Sequence, residues 1–211
     1  MPGSANGSPV SATMSTPADS RDTGGGVRVQ RADARANRVR ILDVAEQVFG
    51  EGGESASTEE VARLAGVGIA TVFRHFPTKA ALLEAVLARR FDRLREQAEA
   101  LLNTADPGQE FLGFFRHLVA DAPAKIGIAE ALLAAGGNGD QAVQASTELR
   151  RAFGALLERA QHAGAIREDV ELPEVYALLV GVSQAAAHQH LGDQVTARML
   201  TIVFDGLAPR P

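Results

Sequence analysis

The feature that most constrains this chain is the Gly-Val-Gly step at residues 66–68. It separates two short segments, 57–65 and 68–76, whose apolar residues recur at the three- and four-residue spacing of a helix. Gly66 stands where the end of a helix favours a left-handed residue. Two short helices joined by so tight a glycine turn form a helix-turn-helix, so the sequence predicts one here.

The rest of the chain is also predicted to be helical, because alanine and leucine are abundant and tryptophan is absent. Further helices are expected at about 34–50, 78–102, 109–121, 124–135, 140–163, 173–191 and 193–207. The predicted fold is therefore all-α. It divides into a Gly- and Ser-rich disordered tail at 1–30, a helix-turn-helix domain at 31–79, and a larger helical domain at 80–211.

Several classes of protein are disfavoured by what the sequence lacks. Without cysteine there is no disulfide, thiolate metal site or cysteine nucleophile. No apolar run approaches the length of a membrane span, and the N-terminus has no apolar secretion core, so a cytoplasmic protein is expected. No pair of carboxylates and no nucleophile with a base stands out, so we expect neither an enzyme nor a cofactor. His188 and His190 are two residues apart on a predicted helix and so point in different directions, and no metal site is predicted.

The charge is unevenly distributed along the chain. The net charge is -5, yet residues 28–79 sum to +1 and the following residues are acidic. A nucleic-acid surface would therefore lie in the N-terminal half, because an acidic body repels phosphate. Closely spaced arginines lead into the first helix, as a solvated face or as an arm along DNA; these are Arg28, Arg31, Arg35, Arg38 and Arg40.

The stretch from Thr58 to Leu83, TEEVARLAGVGIATVFRHFPTKAALL, resembles the DNA-binding domain of the tetracycline-repressor (TetR) family. The resemblance extends over about residues 35–90 and joins the helix-turn-helix to an aromatic-x-His-Phe-Pro-x-Lys ending. It implies a homodimeric transcription factor, usually a repressor. Such a factor leaves a palindromic operator when a small-molecule effector enters its C-terminal domain.

A recognition helix enters the major groove by its N-terminal end, so its first turn faces the base edges. The residues predicted there are Gly68, Ile69, Ala70 and Thr71. Arg74, one turn on, is expected to reach a guanine or a phosphate. Phosphate contacts are predicted for Thr58, His75 and Lys79, with packing on the third helix as the alternative for His75. The family commonly has Tyr where this chain has Phe73, whose ring is expected to pack against the sugar-phosphate backbone without a hydroxyl contact.

An effector pocket in a helical body is built from apolar side chains with a few polar groups that orient the guest. The residues predicted to line it are Phe111, Phe114, Phe115, His117, Phe153, Leu157, Tyr176, Val180 and Gln184. Ordinary core is the alternative for each of them.

The last two helices, at 173–191 and 193–207, combine apolar and small residues that allow close helix approach. By the resemblance they form the homodimer interface, with burial inside one subunit as the alternative. Two functions outside transcription stay open at this point. One is a helical small-molecule-binding protein, and the other is a protein-interaction module without operator binding.

Overall fold

The computed structural model describes residues 3, 24–52, 55–189 and 191–210. Within these residues the chain forms eight helices and no strand, which confirms the predicted all-α class. They are α1 Gly24–Gly52, α2 Thr58–Leu64, α3 Ile69–His75, α4 Lys79–Leu101, α5 Pro107–Ala134, α6 Asp140–His162, α7 Leu172–His188 and α8 Asp193–Leu207.

Helix α1 begins at Gly24, well before residue 34 where the sequence predicts its start. It therefore overlaps the last seven residues of the predicted tail, 24–30. The other tail residues, apart from Gly3, lie outside the described part of the chain. The described residues divide into two units, one that ends at Arg35 and one that begins at Ala36. Both hydrophobic cores lie in the second unit.

Helix α5 is continuous, where the sequence predicts two helices at 109–121 and 124–135. Pro123 lies inside it and removes one backbone donor, a change that costs about 3 kcal/mol in a helix interior. The helix continues because apolar side chains are buried on both sides of the proline, such as Val119 before it and Ile128 after it. Tertiary packing here outweighs the local preference.

Two hydrophobic cores share α4 and α5. The first core joins α1, α2 and α3 to the start of α4 through Leu83 and to the end of α5 through Leu132. The second core joins the rest of α4, through Leu94, to α5, α6, α7 and α8, with Phe115 near its centre. The first core thus extends past the predicted domain boundary at residues 79 and 80. Any displacement of α4 acts on both cores at once.

Side chains cap the helices at the positions that the sequence favours. The Thr78 hydroxyl accepts a hydrogen bond from the Ala81 amide at 3.0 Å, as predicted for the start of α4. Asp106 does the same for α5 by accepting from the Gln109 amide at 3.0 Å. These caps fix where each helix begins.

Over the part of the chain that the structure describes, the helices are too short or too polar to cross a lipid bilayer.

Candidate nucleic-acid interface and effector cavity

The turn between α2 and α3 is built from local hydrogen bonds. Ser57 caps α2, and its hydroxyl accepts from the Glu60 amide at 3.1 Å. At the other end, Gly66 has φ +66, a left-handed conformation that favours glycine. Its amide donates to the Arg63 carbonyl, and the Val67 amide donates to the Ala62 carbonyl at 3.0 Å. This double closure is the Schellman motif, which turns the chain sharply into α3.

Helix α3 buries one side and presents the other to solvent. Val72 is fully buried, and Phe76, just after the helix, is 2% exposed. On the opposite side Ile69 is 37% and Phe73 is 41% exposed. Four exposed side chains form what we call the outward face: Ile69, Ala70, Phe73 and Arg74.

The remaining predicted contacts on α3 lie at the edge of this face. Gly68 is the exposed N-cap residue, and a Cβ atom there would meet no other atom within 4 Å. Thr71 and His75 are half-buried. Seven of the nine predicted DNA-contacting residues are thus brought together on one short helix and its N-cap, either on its outer side or at that side's edge.

Thr58 and Lys79, the other two, are held differently from what the sequence suggests. Thr58 is 6% exposed, so its side chain is buried, and the cap of α2 is Ser57. The Lys79 ammonium donates to the Ala56 carbonyl at 2.7 Å and lies 5.4 Å from the centre of the Phe49 ring. Lys79 therefore ties the start of α4 to the segment before α2, besides any contact with phosphate.

Arg38 is a structural residue that the sequence alone does not identify. Its guanidinium lies over the Phe76 ring, 4.4 Å from the centroid, and donates to the His75 carbonyl at 3.3 Å. A cation at the carboxyl end of a helix is favoured by the helix dipole. Arg38 therefore links the end of α3 to α1. A cluster of arginines in the sequence gives no sign of which one does this.

Next to the helix-turn-helix, an ion cluster joins α1, α4 and α5. Arg90 of α4 donates to Glu46 of α1 at 2.6 Å and makes two bonds to Asp121 of α5. Arg93 also pairs with Glu46. The side chains of Arg90, Glu46 and Asp121 are 15%, 14% and 11% exposed, so the cluster is mostly removed from water. The partners are far apart in sequence, which is why sequence patterns did not reveal them.

A cavity of about 150 Å³ lies between α4, α5, α6 and α7 and is called the first cavity here. It is lined by Phe91, Leu118, Ala122, Lys125, Ile126, Ser146, Leu149, Phe153, Tyr176, Leu179, Val180, Ser183 and Gln184. Four of the predicted pocket residues are among them: Phe153, Tyr176, Val180 and Gln184. The lining is mainly apolar with a few polar groups, as ligand sites generally are.

The other predicted pocket residues lie elsewhere. Phe111, Phe115 and Leu157 fill the second core and line none of the cavities described here. Their side chains pack among other rings, with the centroids of Phe111 and Phe153 5.3 Å apart. Phe114 and His117 line an open groove on α4 and α5. The alternative of ordinary core therefore applies to the first three.

A second cavity, of about 370 Å³, adjoins the first. Phe91, Ser146 and Tyr176 belong to the lining of both. Arg150 is on its wall, with its guanidinium 4.7 Å from the centre of the Tyr176 ring. The sequence predicted only Tyr176 among the residues of this second space.

Lys125 is the charged residue among the described side chains that line the first cavity. Burial lowers the pKa of its ammonium, and the nearby Arg90 charge lowers it further, while the Asp121 charge acts in the opposite direction. The distance from Nζ to Asp121 Oδ2 is 3.8 Å, and the Phe91 ring centre is 5.9 Å away. A cation is thus held at the cavity wall in a long ion pair with Asp121, at 3.8 Å.

No group of three or more metal-binding side chains occurs among the described residues. The His188 ring lies 3.2 Å from Glu130 Oε1, and His190 lies outside the described residues.

Comparison with known proteins connects this geometry to a family. The sequence model described as "Bacterial regulatory proteins, tetR family" matches residues 41–86, which contain α2 and α3. A second model, "Transcriptional regulator SbtR-like, C-terminal domain", matches residues 106–209. The solved TetR transcription regulatory protein from Mycobacterium vanbaalenii is 37% identical, with a TM-score of 0.70, over 85% of this chain and 99% of that one. The chain belongs to the TetR family of transcriptional regulators.

Other matches agree with the TetR assignment. The TetR transcriptional regulator SCO0520 from Streptomyces coelicolor is 35% identical, with a TM-score of 0.69, over 82% of this chain and 99% of that one. The HTH-type transcriptional regulator SAR0097 of Staphylococcus aureus is 35% identical over 78 residues. That match spans 36% of this chain and 40% of the regulator's length. These relatives are transcriptional regulators and not enzymes.

In this TetR-family chain, the two matched regions correspond to the two sites described above. The outward face of α3 lies inside the N-terminal match, and most of the lining of the first cavity lies inside the C-terminal match. Phe91 of α4, between the two matches, belongs to the cavity wall.

Proposed function

We propose that this TetR-family chain binds a palindromic operator as a homodimer and acts as a repressor that a small-molecule effector releases. The observation that carries the proposal is the outward face of α3. Its side chains remain exposed while Val72 and Phe76 anchor the helix from behind. A helix held this way can enter a major groove without unfolding any of its supports.

The side chains of the outward face favour apolar contacts with DNA bases, together with one hydrogen-bonding group. Ile69, Ala70 and Phe73 offer apolar surface, which suits contacts with thymine methyl groups. Arg74 is the exposed basic group among them and supplies the hydrogen bonds to a guanine or a phosphate. Thr71 and His75, half-buried at the edge of this face, are proposed to contact phosphate. For Thr58 the backbone amide at the start of α2, rather than the buried hydroxyl, is the group offered to phosphate.

The homodimer is proposed to form through α7 and α8. Part of their apolar surface is used inside the subunit, where Val175 and Leu200 are buried. Another part remains uncovered in the single chain: Leu178 is 43% and Ile202 is 71% exposed. A contiguous apolar patch is typical of an interaction surface, and we propose that these side chains belong to one. A second copy that covers them also supplies the second α3 that a palindrome requires.

Release by an effector follows from the sharing of α4 between the two cores. A molecule in the first cavity contacts Phe91, and α4 carries any displacement to Leu83 in the core beneath α3. An effector that favours a conformation in which the two α3 helices no longer match successive grooves lowers the affinity for DNA by linkage. A regulator that acts on bacterial chromosomal DNA works in the cytoplasm.

The test is selection of DNA by the full chain. The protein is incubated with random duplexes at a stated salt concentration near 150 mM, and bound DNA is sequenced after several rounds. We expect an inverted repeat that is bound at least about 10³-fold more tightly than competitor DNA. Recovery of no enriched sequence would reject operator binding and favour a small-molecule-binding or protein-interaction role.

A further inference from the structure

The charged residue in the first cavity restricts what the cavity can accept. Among the described residues that line it, Lys125 alone carries a charge. Its side chain is 18% exposed. A buried ammonium needs a close counter-charge or hydrogen-bond acceptors, because its desolvation is unfavourable.

Asp121 meets that need only in part. Its carboxylate is held by two bonds from Arg90, whereas the Lys125 Nζ stays 3.8 Å from the nearer oxygen. Arg90 also pairs with Glu46, so it stays well neutralised. Lys125 is thus the cation of this region with the weakest partner.

The side chains around Lys125 indicate the size and polarity of the rest of the ligand. Phe91, Leu149 and Phe153 give the wall an apolar character, and Ser183 adds a buried hydroxyl. A mainly apolar cavity of about 150 Å³ has room for roughly one benzene ring. The charged residue of the adjoining second cavity, Arg150, is also a cation. An anionic guest is favoured from both sides, and a cationic one is repelled.

We infer that the effector is a compact monocarboxylic acid with a single aromatic ring or a branched aliphatic body, whose carboxylate pairs with the Lys125 ammonium. This inference rests on the proposed function, because it names the chemical class of the effector that would release the regulator from DNA. The carboxylate takes over from Asp121 as the nearest partner of Lys125. Asp121 then pairs with Arg90 alone. Because Arg90 also pairs with Glu46, the altered ion pairing reaches α1.

The experiment measures binding of matched small molecules to the full chain. The probes are benzoate, cyclohexanecarboxylate and 3-methylbutanoate, each paired with its neutral amide. Titration calorimetry and thermal melting are performed on the wild type, on Lys125→Met, on Lys125→Gln and on Arg151→Met. Arg151 is an exposed arginine on α6 outside both cavities, so its variant controls for loss of charge.

At least one acid is expected to bind the wild type and Arg151→Met equally, and about tenfold or more tightly than its amide. Both Lys125 variants should lose that preference. Equal binding of acid and amide, no binding by any acid, or unchanged affinity in the Lys125 variants would overturn the inference. If both variants fail to fold, a crystal structure with the bound acid decides: a carboxylate oxygen within about 3.2 Å of Nζ supports it, and a carboxylate placed elsewhere refutes it.

The selected operator duplex distinguishes failure of this inference from failure of the proposed function. If the chain binds the operator and no acid binds, only the effector class is wrong. If an acid binds through Lys125 and no operator is found, carboxylate binding in the cavity is supported and the proposed regulator function is rejected. If both bind, the acid must lower operator affinity at least fivefold, and no effect on DNA would refute the effector role.

Discussion

Arg74 and Lys79 belong to the same sequence motif but are held in different ways. Arg74 is exposed on the outward face of α3. The Lys79 ammonium is bonded to the Ala56 carbonyl and lies near the Phe49 ring. We therefore propose a contact with DNA as the main role of Arg74, whereas Lys79 also supports the fold.

The two alanine variants should consequently change different quantities. Arg74→Ala should weaken operator binding by about 10- to 100-fold without changing the free energy of unfolding. Lys79→Ala should lower the free energy of unfolding by about 1–3 kcal/mol, because a buried carbonyl loses a charged donor. Fluorescence anisotropy on the selected operator and urea unfolding measure the two quantities, with Arg151→Ala as control. Equal stability of Lys79→Ala and the wild type would show that its bond to Ala56 contributes nothing.

Lys125 makes the stability of the fold depend on pH. Its pKa is lowered in the folded chain from the ordinary 10.5, mainly by burial. The folded chain therefore holds this proton less tightly than the unfolded chain does. The charge destabilises the fold at neutral pH, and the cost disappears as pH rises through the folded pKa towards 10.5.

Lys125→Met should accordingly melt at a higher temperature than the wild type at pH 7. Asp121 stays paired with Arg90 in this variant, so no new charge is orphaned. The difference should narrow as pH approaches 10. Thermal melts at several pH values provide the measurement, and a variant less stable than the wild type at pH 7 would contradict this reading.

At the scale of the elements, local signals predicted the helix-turn-helix and long-range contacts decided the rest. Glycine at position 66 and the spacing around Val72 are enough to predict the turn and the face that α3 buries. The sequence could not predict that α5 continues through Pro123, because burial on both sides of the proline compensates for its cost.

The cavity was only partly predictable for a similar reason. Helical periodicity shows that Phe111 and Phe153 are both apolar-face residues. It does not show which of them borders empty space, because that depends on how four helices pack together. Lys125 was missed because a single lysine in an apolar helix has no pattern that distinguishes it from a solvated charge.

The ion cluster of Glu46, Arg90, Arg93 and Asp121 is a further element-scale feature, since it links α1, α4 and α5. Neighbouring arginines of α4 allow a matched comparison. Arg90 is mostly buried between two carboxylates, whereas Arg89 pairs with Asp43, whose side chain is 54% exposed.

Arg90→Met should lower the free energy of unfolding by about 2–4 kcal/mol, because Glu46 and Asp121 keep only weaker partners in a partly dry site. Arg89→Met should cost at most about 1 kcal/mol, as is usual for an exposed pair. Urea denaturation of the two variants measures the contrast. Similar losses of unfolding free energy in the two variants would mean that the cluster stabilises the fold no more than an exposed ion pair does.

For the whole molecule, the proposed homodimer explains why apolar side chains remain exposed on α7 and α8. Ile202 of α8 is 71% exposed, and Leu133 of α5 is exposed to almost the same extent, 70%. Only the first belongs to the surface that we propose for dimerisation. Comparing variants of Ile202 and Leu133 therefore distinguishes a specific dimer interface from a general effect of replacing an exposed apolar side chain.

Ile202→Asp should shift the chain to monomers in sedimentation velocity and weaken operator binding, because one α3 makes too few contacts alone. Leu133→Asp should leave the oligomeric state unchanged. Both variants are expected to keep their helical circular dichroism. A dimer that survives Ile202→Asp would place the interface elsewhere on the molecule.

The most direct test of the central claim, that paired outward faces of α3 occupy successive major grooves, is a hydroxyl-radical footprint of the full chain on its selected operator. Two protected patches about 10–10.5 base pairs apart on one face of the duplex are predicted, and Arg74→Ala should reduce both equally. A single patch, or two patches that Arg74→Ala leaves unchanged, would contradict the claim.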